Sequence, residues 1–85
     1  MINIRERTVE YVKQNYDISP GVVHVMFDTG LIREDLARRV LIRDEYNRKA
    51  VKRGKTELKI FLAEKWAVSL STVEKIVSES VEMFP

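Results

Sequence analysis

The chain has 85 residues, of which 45% are hydrophobic and 33% are charged, so we expect one small folded domain rather than a disordered segment. It contains no cysteine, which excludes a disulfide framework and a thiolate metal site. No apolar run approaches the roughly 18 residues that span a bilayer, and the N-terminal residues lack an apolar signal core. We therefore expect a cytoplasmic protein without a membrane partner.

The first predicted element is an amphipathic helix over residues 3–15. Its inward residues share helical spacing: Ile4, Thr8, Tyr11, Val12 and Tyr16. A second helix is expected over 20–28, because Ser19 suits an N-cap and Pro20 suits a first helical position. The many β-branched residues of this segment leave a buried strand as the alternative. Gly30 is expected to close the segment in a left-handed conformation.

From Leu31 to Arg53 no glycine or proline interrupts the chain, and helix formers dominate. One long helix is expected, or two helices joined near 41–44. Four acids stand four residues before a base, the favourable order on a helix surface: Glu34–Arg38, Asp35–Arg39, Asp44–Arg48 and Glu45–Lys49. These bases explain the acids better than a metal would, and His24 has no second ligand near it in sequence.

Thr56 is expected to cap a helix that continues to Trp66, and after a short turn Ser69 or Ser71 is expected to cap a final helix that runs to about Met83. The aromatic side chains are interpreted as core: Tyr11, Tyr16, Phe27, Tyr46, Phe61 and Trp66. No internal repeat is expected. The predicted fold is all-α, a small bundle of four to six helices with a C-terminal helix-turn-helix.

Charge and organisation differ along this single predicted domain, 1–85. The formal net charge is +2, yet residues 33–59 carry +5, against −1 before them and −2 after them. Uneven charge of this kind indicates a surface that faces a polyanion. We expect 1–41 to be a helical part for dimerisation or docking and 42–85 to be a tri-helical unit.

The segment 59–78 carries the residues that two helices crossing over a tight turn require. Ala63 is the small residue where the backbones approach, and apolar residues form the inner face: Leu62, Trp66, Val68, Val73 and Ile76. The run from Leu62 to Ile76 resembles the helix-turn-helix of bacterial and phage regulators. Its Val-Ser-Leu-Ser-Thr-Val-Glu-Lys stretch is similar to the recognition-helix start of LuxR-type response regulators and sigma-factor-like proteins.

The basic stretch before it, with Arg43 and Tyr46, is similar in layout to phage Mor-type activators. Two features depart from the pattern. Ala67 stands where these families usually have glycine, and the second helix lacks arginine while carrying acids: Glu74, Glu79 and Glu82.

The resemblance implies that the second helix enters the major groove of double-stranded DNA with its N-terminus first. Base contacts are then expected from Ser71, Glu74 and Lys75. Contacts to the DNA backbone are expected from further polar and basic residues: Ser69, Thr72, Ser78, Lys52, Arg53, Lys55 and Lys59. The alternatives are helix capping for the serines and a solvated face for the charged side chains.

The predicted function is sequence-specific DNA binding by a bacterial or phage/mobile-element transcriptional regulator. Because one small module reads few base pairs, a homodimer on a palindromic site is expected. The candidate dimer contacts are apolar: Val22, Val23, Met26 and Phe27. The alternative is a protein-interaction or assembly module of the same fold, such as a phage packaging or adaptor component, without specific DNA readout. No nucleophile, phosphate-binding loop or carboxylate pair indicates catalysis, so no enzyme activity, cofactor, metal or small-molecule substrate is expected.

Overall fold

The computed structural model describes residues 2–50 and 54–78, and these residues fold into helices with no β-strand. The helices are α1 (Ile4–Tyr16), α2 (Pro20–Asp28), α3 (Glu34–Lys49), α4 (Lys55–Trp66) and α5 (Leu70–Ser78). The predicted all-α class is confirmed, and the segment 20–28 is a helix rather than a strand. Among these five helices, none combines the length and the apolar character that a bilayer span requires.

The ends of α1 and α2 follow from local chemistry. The Asn3 side chain caps α1 by accepting a hydrogen bond from the Glu6 N–H at 3.1 Å. Ser19 is the N-cap of α2 and Pro20 its first residue, as predicted, although the Ser19 side chain makes no capping hydrogen bond. After α2, Gly30 adopts φ +78°, the left-handed conformation expected of the residue that ends this segment.

A single helix, α3, replaces the longer predicted stretch and is continuous through 41–44. Three predicted ion pairs form along it: Arg38–Glu34 at 3.8 Å, Arg48–Asp44 at 3.0 Å and Lys49–Glu45 at 2.6 Å. The fourth expectation, Asp35 with Arg39, is replaced by a pair between Asp35 and Arg33 at 3.2 Å. Arg33 lies just before the helix, and Asp35 lies in the first turn.

The start of α4 corrects one prediction. Its N-cap is Gly54 with φ −60° and ψ 137°, so Thr56 lies within the first turn and does not cap the helix. Glycine is accepted at this position because the N-cap needs extended backbone rather than helical backbone. The expected continuation of α5 towards Met83 lies outside the described residues.

The described chain divides into two compact units, with the boundary between residues 41 and 42, inside α3. In the first unit α1 contacts α2, and the buried residues are Ile4, Thr8, Val12, Val23, Ile32, Ala37, Val40 and Leu41. In the second unit α4 contacts α5, and the buried residues are Ile42, Glu45, Leu58, Leu62, Trp66, Val73 and Ile76. Tyr16 departs from its predicted core position, since it is 55% exposed.

Each unit contains one helical hairpin, and around their turns the two hairpins correspond at an offset of 50. In the first hairpin (α1–α2) the first helix ends at 16 and the second begins at 20, and in the second hairpin (α4–α5) these positions are 66 and 70. Each turn consists of a left-handed residue, an apolar residue and a serine N-cap: Asp17-Ile18-Ser19 and Ala67-Val68-Ser69.

The buried positions of the two hairpins also correspond at an offset of 50. Val23 donates its N–H to Ser19 O at 3.2 Å, and Val73 does so to Ser69 O at 3.1 Å. Both valines are 0% exposed, as are the paired positions Thr8 and Leu58, and Val12 and Leu62. The correspondence is one of structure, and the sequence shows no internal repeat: Ser19/Ser69 and Val23/Val73 are the only identical pairs between 4–28 and 54–78.

Candidate nucleic-acid interface

A short turn joins α4 to α5. Ala67 ends α4 in the left-handed conformation, with φ 54° and ψ 45°. Its N–H donates to Glu64 O at 3.3 Å, and the Val68 N–H donates to Ala63 O at 3.0 Å. Three residues thus separate the two helices, and the segment is not one continuous rod.

One face of α5 is buried and the opposite face is exposed. Val73 and Ile76 are 0% and 2% exposed. The outward residues recur at the three- and four-residue spacing of one helix face: Ser71, Glu74, Lys75 and Ser78. All three residues predicted to contact bases therefore lie together on a solvent-facing surface, which we call the α5 face. Leu70, which the sequence analysis did not single out, adds an apolar side chain that is 39% exposed.

Hydroxyl groups gather at the first turn of α5. Ser69 Oγ accepts a hydrogen bond from the Thr72 N–H at 3.1 Å, so Ser69 is the capping residue. Its Oγ also lies 2.7 Å from Thr72 Oγ1 and 3.2 Å from Ser71 Oγ. At the other end of the helix, Ser78 Oγ donates to Lys75 O at 3.0 Å. The capping alternative holds for Ser69, and its exposed hydroxyl still stands at the positive end of the helix.

The basic residues proposed for the DNA backbone are only partly described. Lys55 is exposed and Lys59 is half-buried, one turn apart on α4. Within the described part of the chain, neither lysine makes an ion pair. The other two predicted contacts, Lys52 and Arg53, lie outside the described residues.

A buried carboxylate joins the second half of α3 to α4, and the sequence analysis found only one of its partners. Glu45 is 4% exposed. It accepts hydrogen bonds from Lys49 at 2.6 Å, from Lys65 at 2.8 and 2.9 Å, and from Trp66 Nε1 at 3.3 Å. We call this group the Glu45 cluster.

Electrostatics keep Glu45 ionised. Burial alone acts to raise the pKa of its carboxyl, but the hydrogen bonds from Lys49 and Lys65, together with their charges, outweigh burial and lower the pKa below its ordinary value. The sequence held a signal for this position, because Glu45 falls at helical spacing on the same face as the buried Leu41 and Ile42.

The Glu45 cluster also reduces the positive charge that faces solvent. Lys49 and Lys65 both form ion pairs with the Glu45 carboxylate. Their ammonium groups lie 5.1 and 5.9 Å from the centre of the Phe61 ring. Arg48 forms an ion pair with Asp44. The net charge of +5 over residues 33–59 already counts Asp44 and Glu45, so these pairs leave the excess on other bases of the segment.

The candidate dimer residues on α2 differ in exposure. Val23 is 0% exposed and belongs to the core of the monomer, so its assignment as a dimer contact is corrected. Met26 and Phe27 are half-buried, and the Arg5 guanidinium lies 5.0 Å from the Phe27 ring centre. Val22 is 47% exposed, and Val25, which the prediction omitted, is 58% exposed.

In the residues that the structure covers, no group of three or more His, Cys, Asp or Glu side chains is placed to hold a metal ion. Comparison of the chain with protein-family models, with curated proteins and with solved structures gives no match. The function must therefore be argued from the geometry of this chain's own residues.

Proposed function

We propose that the chain is a sequence-specific DNA-binding protein, of the transcriptional-regulator class, that reads DNA with the second hairpin. The observation that carries this proposal is the α5 face. After a three-residue turn, the described part of α5 (Leu70–Ser78) buries Val73 and Ile76 and presents polar side chains outward. An α-helix fits the B-DNA major groove, which is about 12 Å wide.

The α5 face offers complementary chemistry to base edges. Lys75 can donate to the O6 and N7 acceptors of guanine, and Glu74 can accept from the N4 amino group of cytosine. The Ser71 hydroxyl can donate or accept. Because Lys75 is a hydrogen-bond donor and Glu74 an acceptor, the pair favours guanine opposite Lys75 and cytosine opposite Glu74.

Backbone contacts are supported by the first turn of α5 and by α4. Ser69 and Thr72 place hydroxyls where backbone N–H groups and the helix dipole favour a phosphate. Lys55 and Lys59 supply positive charge on the preceding helix. Lys52 and Arg53 add two further charges in sequence between α3 and α4.

Selection from random DNA duplexes with the purified full chain, followed by a salt titration on the selected duplex, tests the proposal. The double variant Lys55→Gln/Lys59→Gln removes two phosphate contacts, so the slope of log K against log salt should become shallower by about 1.8. The matched control is Arg7→Gln/Lys13→Gln, which removes the same charge from α1 and should leave the slope close to that of the parent.

Glu74→Ala tests base reading separately from charge. It should relax the preference at one base pair of the selected site while leaving the salt slope nearly unchanged. A parent chain that selects no consensus from the random pool would overturn sequence-specific DNA binding.

A protein-interaction module is the second candidate, and a specific observation favours it. The described α5 face carries one acid and one base, Glu74 and Lys75, so its net charge is zero. The Glu45 cluster also withdraws Lys49 and Lys65 from a polyanion-facing surface. Weak binding to every duplex, with little dependence on salt, would support this candidate over DNA reading.

A further inference from the structure

The correspondence between the two hairpins identifies a second exposed helix face. Shifting the α5 face back by 50 residues leads to α2, where the equivalent of Ser71 is Gly21, that of Glu74 is His24 and that of Lys75 is Val25. Together with the neighbouring Val22, these residues form what we call the α2 face. All four are exposed.

The chemistry of the α2 face differs from that of the α5 face. Val22 and Val25 are 47% and 58% exposed, and no Lys, Arg, Asp or Glu occurs from 18 to 27. Of the six large hydrophobic side chains exposed in the described residues, four belong to the first unit: Tyr16, Val22, Val25 and Leu31. The α2 face has no Lys or Arg to neutralise phosphates, so this copy of the hairpin suits DNA less well than the second hairpin.

We propose that the α2 face is a self-association surface, which binds the α2 face of a second copy of this chain. In a two-fold symmetric contact each patch meets its own copy, so a patch with a net charge meets the same net charge. The α2 face carries no Lys, Arg, Asp or Glu and avoids that repulsion. The nearest acid in the helix, Asp28, is already paired with Arg5 at 3.0 Å.

The backbone of α2 also favours a second copy of the chain as the partner. Gly21 is exposed and has no side chain, and a Cβ placed on it would meet no atom within 4 Å. The space next to the helix backbone is therefore open at this point. A second helix can approach closely over such a residue and bring Val22 and Val25 into contact with their counterparts. The four residues of the α2 face are far fewer than the roughly 20–30 residues per partner of a standard interface, so we expect a weak dimer.

The test measures the mass of the full chain by sedimentation equilibrium over a concentration series. The parent should change from monomer to dimer as concentration rises. Val25→Asp should weaken the dimer at least about tenfold, because an unpaired carboxylate would be buried twice, once in each copy. Val25→Thr, which keeps the shape of the side chain and is safe for folding, should weaken it by a smaller factor.

Ile60→Asp is the matched control, since Ile60 is 46% exposed on α4, outside the α2 face. It should dimerise like the parent. A parent that stays monomeric across the series, or Val25 variants that dimerise as well as the parent, would overturn the proposal. So would an Ile60→Asp variant that loses as much affinity as Val25→Asp.

Self-association through α2 does not depend on DNA binding. If the chain stays monomeric but selects a DNA consensus, only the self-association proposal is rejected. If it dimerises but selects no consensus, only the DNA-binding proposal is rejected.

Discussion

The first and second hairpins have turns of the same length and conformation but differ in the residue that ends the first helix. Trp66 is 8% exposed and donates its Nε1–H to Glu45, whereas Tyr16, at the equivalent position, is 55% exposed. The turn conformation is nevertheless the same after both residues, with φ 54° at Asp17 and at Ala67. The hairpin geometry therefore does not need the buried aromatic ring, and Trp66 serves instead to join α4 to the Glu45 cluster.

The largest effect should separate these two aromatic positions. Trp66→Ala removes a buried ring and leaves a cavity, so we expect it to lower the free energy of unfolding by about 3 kcal/mol. Tyr16→Ala should cost less than about 1 kcal/mol, because most of that side chain is already in water. Urea unfolding should be followed by far-ultraviolet circular dichroism, because Trp66→Ala removes the chain's one tryptophan and with it the tryptophan fluorescence signal. Equal losses for the two variants would contradict the comparison.

Glu45→Ala should have the next largest effect, a loss of about 2 kcal/mol at neutral pH. The substitution leaves the ammonium groups of Lys49 and Lys65, whose side chains are 39% and 29% exposed, without their carboxylate. Partial exposure keeps the loss below that of a fully buried pair. Asp44→Ala is the control, because the neighbouring Asp44–Arg48 pair is more exposed and should contribute less than about 0.5 kcal/mol.

The stabilisation by Glu45 should depend on pH in one direction. Its pKa is lowered in the folded chain, from 4.5 in the reference state, so the unfolded chain binds the proton first as pH falls. The contribution is therefore complete above 4.5 and is lost as pH drops through the lower folded-state pKa. Comparing Glu45→Gln with the parent across this range should show their stabilities converging in acid. A constant difference would show that the charge of Glu45 is unimportant.

Local patterns predicted the helices well and the tertiary polar contacts poorly. Apolar spacing and the Ser19-Pro20 pair placed α1 and α2 within a residue or so of their observed ends. The Glu45 cluster was missed in part, because Lys65 and Trp66 are 20 and 21 residues away and no helical periodicity links them. The correspondence between the hairpins was missed because it depends on backbone conformation and burial at residues that differ in identity, such as Asp17 and Ala67.

Capping should distinguish the hairpins by a smaller amount. Ser69 Oγ accepts from the Thr72 N–H, whereas the Ser19 side chain makes no capping bond. Ser69→Ala should thus cost about 1 kcal/mol in unfolding free energy. Ser19→Ala should be close to neutral, and thermal melts of the two variants would show the difference. If Ser19→Ala lost as much stability, side-chain capping would not be what separates the two serines.

The smallest predicted effect is a gain in stability at the second turn. Alanine is strained in the left-handed conformation of Ala67, whereas aspartate at Asp17 tolerates it. Replacing Ala67 by glycine removes the strain but adds freedom to the unfolded chain, which leaves a net gain of about 0.5 kcal/mol. Asp17→Gly relieves less strain for the same entropy and should gain nothing. The measurement is the urea midpoint of each variant against the parent, and a larger gain at Asp17 would reverse the assignment of strain between the two turns.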